Sequence, residues 1–147
     1  MVRSYQIYWI EKEFASFFYG RERLFFNLFL QRQSSNGWLK EILDKQVDFI
    51  TKPIPYLPIQ RYVGQEVQRR EDILKVEDSY IIELPDGSGG VKMNIQKDYI
   101  KIDAWGLEVI ETLFFEILRK VDGRLLAIEL EHERFGWLKP IKERKYV

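Results

Sequence analysis

An α+β fold, with helices packed on a mostly antiparallel sheet of about five strands, follows from three features of the chain. Period-two alternation opens it, at Tyr5, Ile7 and Trp9, and returns as a block over residues 73–104. Helical spacing of apolar residues fills the segments on both sides of that block. Two turn sequences, DGSGG at 86–90 and Lys97-Asp98, interrupt the block where antiparallel neighbours need short connections.

Tyr5, Ile7 and Trp9 alternate with Gln6, Tyr8 and Ile10, which predicts a first strand buried on at least one face. A helical pattern covers residues 11–32. Gly20 either bends it or ends a first short helix, since glycine costs about 1 kcal/mol against alanine in a helix interior. QSSNG at 33–37 reads as a turn, and Trp38, Ile42, Val47, Phe49 and Ile50 predict a second helix closing before Pro53. The prolines of ITKPIPYLPIQ predict an extended connector held down by its apolar residues, and the polar run at 65–72 a solvated approach to the sheet. Residues 73–84, 91–96 and 99–104 predict three consecutive antiparallel strands. Apolar residues at helical spacing from Leu107 to Val121 predict an amphipathic helix; Arg119 and Lys120 suit its negative end and Gly123 its cap. Residues 125–131 predict another strand and 135–141 a last extended piece. The order is strand, helix, helix, three strands, helix, strand, in a single domain over 1–147.

A chain of 147 residues is long enough to bury one real core. Its 46% apolar and 31% charged residues are a globular balance rather than a disordered one. The 23 basic and 23 acidic side chains cancel, which argues against phosphate neutralisation and so against direct nucleic-acid binding. Absence of cysteine excludes disulfides and thiolate chemistry and is compatible with a reducing compartment. The opening apolar stretch is too short for a signal peptide, and no run approaches the ~20 apolar residues of a membrane span. The expectation is a cytoplasmic protein, with a monomer favoured.

Glu129, Glu131 and Glu133 alternate along a predicted strand, so their carboxylates share one face. With Ile128 and Leu130 pointing inward, a solvated acidic face is a stronger reading than a metal or acid–base site. His132 is the only histidine, which leaves no zinc ligand set. DGSGG joins two strands and lacks the helix N-terminus that a phosphate cradle needs. The predicted order of elements also occurs in the core of acetyltransferases. Their pyrophosphate loop would fall at DAWGLEVIET, where Gly106 stands alone and Glu108 would repel phosphate. The reading is a protein without catalytic activity, cofactor or metal. An acyl-CoA-dependent transferase, or a degenerate relative of one, is the alternative. Basic and aromatic residues interleaved in RERLFF and KPIKERKY leave single-stranded nucleic-acid binding as a minor third.

The segment FASFFYGRERLFFNLFL at 14–30 carries more aromatic rings than one buried helix face can use. Phe17, Leu24, Phe25, Leu28 and Phe29 can cover a core, which leaves Phe14 and Phe18, one turn apart, for a second face. Either that face anchors a protein partner, or the helix is sandwiched and both faces are core. Pattern alone leans toward the sandwich.

Three motifs, EFASFFYGRERLFFNLF, KQVDFITKPIP and ERFGWLKPIKERKYV, resemble in register and end to end the SirA family of sporulation inhibitors of replication, found in endospore-forming bacteria. The resemblance implies a non-enzymatic inhibitor that binds domain I of the replication initiator DnaA and blocks new rounds of replication at the onset of sporulation. It carries partner contacts onto Phe14, Phe18 and Gln46. Phe18 stands where a relative has tyrosine, so a hydroxyl is lost there and a ring is kept. In the C-terminal motif Trp137 and Leu138 read as core and Pro140 as the mark of an edge strand.

Overall fold

The first strand, β1 (Val2–Ile10), is the axis of the molecule. In this computed structural model, which describes residues 2–17, 19–107 and 110–139, it pairs with three other strands. After it come α1 (Lys12–Phe17), α2 (Glu22–Ser34), α3 (Gly37–Ile50), the short β2 (Thr51–Lys52) and α4 (Tyr56–Arg69). Then follow β3 (Ile73–Val76), β4 (Ser79–Glu83), β5 (Gly89–Ile95), β6 (Ile100–Gly106), α5 (Thr112–Leu118), β7 (Leu125–Glu129) and β8 (Arg134–Trp137). The strands form one eight-stranded sheet in the order β3-β4-β5-β6-β1-β7-β8, with β2 beside the end of β1. Every strand pair is antiparallel. The α+β expectation holds, with a larger sheet than predicted.

Because successive side chains of a strand point to opposite faces, β1 and β7 feed two cores. Tyr5, Ile7, Leu125 and Ala127 face one side, where α4 and α5 cover them. Tyr8, Ile10, Leu126 and Ile128 face the other, under α1, α2 and α3. The first core extends across β6, β5 and β4, where Tyr5 stands opposite Ile102, Ile102 opposite Met93, and Met93 opposite Tyr80. The second core stops at β1. Beyond it, that face of the sheet carries Lys92, Asn94, Lys101 and Asp103 in contact with solvent. The α1–α3 layer therefore sits over one end of the sheet. An aromatic seam fastens it: Tyr8 to Phe29 at 4.4 Å between centroids, Phe26 to Phe135 at 5.1 Å, and Trp137 Nε1 donating to Glu22 Oε1 at 3.0 Å. Trp137 is thus half-buried against α2, and β8 is an edge strand; Pro140 lies outside the described residues.

Three sequence expectations change. The proline-rich segment is extended only at 53–55, where the N–H of buried Ile54 donates to Lys97 O at 2.7 Å. From Tyr56 it is helix, and the predicted solvated run at 65–72 is largely the end of that helix. Pro58 is the third helical residue, and a first-turn N–H has no intrahelical acceptor, so its proline ring costs no hydrogen bond. Ile59 and Val63 then bury the inner face of α4. Second, residues 73–84 form a hairpin rather than one strand: Val76 pairs with Ser79 across Glu77-Asp78, and Glu77 takes a positive φ of 56°. Third, the predicted helix over 107–121 is regular only through α5, with Glu108 and Val109 outside the described residues. Among the described residues the observed order thus has two helices and three strands more than predicted.

Gly106 also has a structural duty. Its φ is 75°, and a Cβ there would meet the Ser88 carbonyl oxygen at 2.0 Å. The close approach lets Leu107 N–H donate to Ser88 O at 3.1 Å, closing the chain after β6 onto the β4–β5 loop.

Candidate protein-binding site

Helix α1 leaves β1 at once, held by Glu11 N–H donating to Ile50 O at 2.8 Å. That bond sets the start of α1 beside the end of α3. Ala15 is the buried residue of this short helix, and Phe14 beside it is half-buried. Gly20, at φ 80°, ends the first helical stretch rather than bending it. Helix α2 buries Phe25, Phe26 and Phe29, while α3 buries Leu43, Val47 and Ile50. Thr51 stops α3 by donating its hydroxyl to Val47 O at 2.7 Å and turns the chain into β2.

What remains outside is unusually apolar. On α3, Trp38 is 73% and Phe49 72% exposed, with Ile42 exposed between them. Leu24 on α2 is exposed, and Phe17, expected in the core, is 69% exposed. Six residues of helix cannot turn both Phe17 and Ala15 toward the sheet, and Ala15 is the one that fits close to it. Between α1, α2 and α3 lies an open groove of about 510 Å³ whose lining includes Phe14, Leu24, Leu28, Ile42, Gln46 and Phe49. The Phe14 and Phe49 rings meet edge to face at 5.3 Å, forming one wall. Gln46 is exposed one turn before Phe49, and its amide has no hydrogen-bond partner among the described residues. Lys45 is the charged residue of the lining.

Of the residues singled out from sequence, Phe14 and Gln46 therefore share one groove, and Phe18 lies outside the described residues. The aromatic excess of residues 14–30 is not all core, so the sandwich reading does not hold for Phe17 or Leu24. In the sequence Phe49, Ile42 and Trp38 show only as helix pattern. The available signal was two interleaved apolar sets on α3: Leu43, Val47 and Ile50 on one face, and Trp38, Ile42 and Phe49 on another.

The acidic positions resolve differently from expectation. Strand β7 ends at Glu129, which is 1% exposed rather than solvated. Its Oε1 accepts the His132 N–H at 3.0 Å and its Oε2 pairs with His132 Nδ1 at 2.9 Å, bracing the β7–β8 turn. Glu131 and Glu133 lie in that turn, Glu133 at φ 54°. One ligand atom each of Glu129, Glu131 and His132 lies within 4.8 Å of the others, but both Glu129 oxygens are engaged by the turn itself.

A layered α+β domain that leaves a walled apolar groove open between its surface helices presents the exposed apolar surface that marks an interaction site. The chain belongs to the SirA family: residues 3–142 match the family described as "Sporulation inhibitor of replication protein SirA". It is also similar to the protein of that name from Bacillus subtilis (strain 168), with 36% identity over 149 positions covering all of both chains.

Proposed function

We propose that this chain inhibits initiation of DNA replication at the onset of sporulation by docking domain I of DnaA into the α1–α3 groove. The supporting observation is the groove itself, where a rigid aromatic wall, Phe14 on Phe49, stands beside the unpaired amide of Gln46. Aromatic anchors of this kind carry most of an interface's energy, and one amide adds direction by offering a donor and an acceptor. Phe18, one turn beyond Phe14 in the sequence, belongs to the same proposed contact. Phenylalanine in place of tyrosine there gives up a bond worth about 0.5–1.5 kcal/mol net, whereas losing a buried anchor ring costs about 2 kcal/mol or more. The action is occupancy of a surface in the cytoplasm, needing no catalysis, cofactor or direct contact with DNA. Among the described residues no helix is long and apolar enough to cross a membrane.

Calorimetric titration with DnaA domain I from the same organism tests this. A saturable complex is expected for the wild-type chain. Phe14→Ala and Gln46→Glu are expected to abolish it with unchanged circular dichroism. Wild-type protein that gives no heat and no co-elution at high concentration would sink the partner; native variants that bind normally would sink the site.

A further inference from the structure

The apolar surface of α3 continues past the groove. Trp38, Ile42 and Phe49 recur at four and seven residues, one stripe along about 16 Å of helix at 1.5 Å per residue. Among the described residues no ring contact, hydrogen bond or ion pair holds Trp38. An indole left in water at one end of a groove is an anchor without its pocket. Lys45, on the lip between Ile42 and Phe49, likewise has no ion pair among the described residues, while nearby Lys40 reaches Asp44 at 3.1 Å.

We infer that the groove and this stripe together receive one helix of the partner, with Trp38 as the far anchor and an acidic residue of that helix set against Lys45. The inference rests on the reading above, that the groove is a docking surface. A helix is the fitting element because the walls are themselves helices. Their backbone groups are already bonded, so an extended segment would lie there with its own N–H and C=O groups unmet. A helix satisfies its backbone internally and offers apolar side chains at i, i+4 and i+7, matching the stripe. The acidic partner follows from desolvation: docking removes water from the Lys45 ammonium, which needs a compensating negative charge.

The probe is DnaA domain I, titrated against wild-type, Phe14→Ala, Trp38→Ala, Trp38→Phe and Lys45→Glu chains, each checked by circular dichroism. Trp38→Ala is expected to weaken binding tenfold or more, and Trp38→Phe to keep most of it. Lys45→Glu is expected to weaken binding tenfold or more at low salt and by less at high salt. Loss of binding by Phe14→Ala, with Trp38→Ala and Lys45→Glu binding as wild type, overturns this extension and leaves the groove reading intact. No binding by the wild-type chain removes that reading first. Self-association abolished by Trp38→Ala would assign the stripe to a second copy and overturn the inference.

Discussion

Arg3, Tyr5 and Glu111 form a buried polar cluster. Arg3 reaches both oxygens of Glu111, at 2.9 and 3.0 Å, and the Tyr5 hydroxyl donates to Glu111 Oε2 at 2.6 Å. Arg3 and Glu111 are 2% and 3% exposed, and Arg3 also donates to the carbonyls of Gly106 at 3.4 Å and Leu107 at 2.9 Å, so the charges are met inside the protein rather than by water. Burial pushes the Glu111 carboxyl up, but hydrogen bonds from Arg3 and Tyr5 and the Arg3 charge outweigh it and hold the group below its ordinary value. Burial first, then the hydrogen bond to Glu111, push Tyr5 up to about 12. Stability is therefore greatest between these limits. As pH falls below about 4.3 the unfolded chain takes up the Glu111 proton first, and the contribution is lost as pH drops through the depressed folded value. As pH rises above about 10 the unfolded Tyr5 ionises first, and that contribution is lost on approach to the raised value. Urea melts across the pH range should give a plateau that falls at both ends, with a shallower acid limb in Glu111→Gln. That substitution removes the carboxylate charge facing the buried Arg3 and is expected to cost about 3–5 kcal/mol at neutral pH. A cost below about 1 kcal/mol would mean that the pair is dispensable.

Elements in this protein are decided by their ends as much as by their pattern. Helix α4 tolerates Pro58 because of where the helix begins, so Pro58→Ala should cost no more than about 1 kcal/mol, through the freer unfolded chain. Ile59, the next residue and fully buried, should cost about 2–5 kcal/mol as alanine. Equal costs in denaturant melts would contradict the assigned start of the helix. Gly106 is the opposite case, needed for its conformation and for the space beside Ser88. Gly106→Ala should destabilise by more than the ~1–2 kcal/mol of a left-handed backbone alone, because the added methyl also meets a carbonyl. A melt unchanged from wild type would show that the β6–α5 junction can shift freely.

At the scale of the whole molecule the sheet is lopsided: both faces are covered at β1 and β7, and one is covered from β6 to β3. Hydrogen exchange should follow that division. Amides of β1 and β7 are expected to exchange last, close to global unfolding, and those of the exposed edge strand β3 first among the strands. Uniform protection across the sheet would contradict it. The same lopsidedness serves the proposed function, because the α1–α3 layer is anchored on its inner side and free to present its outer side to a partner.

Features that depend on local period and turn chemistry are legible in the chain without its tertiary structure. The alternation of Tyr5, Ile7 and Trp9, the turns at 86–90 and 97–98, and the helix ending before Pro53 all stand in the structure. Its motifs likewise sufficed to place the chain in the SirA family. Failures came where a residue's effect depends on its position within an element. Pro58 breaks a helix interior but not a first turn, and Glu77-Asp78 lacks the glycine that advertises a hairpin. Periodicity shows that α2 and α3 have more apolar residues than one face holds, but not which of them water touches. Only tertiary packing decides that, because one layer of helices can bury one face against one sheet. The sheet took Phe25, Phe26, Phe29 and Val47, and left Phe14, Ile42, Gln46 and Phe49 to line an open groove.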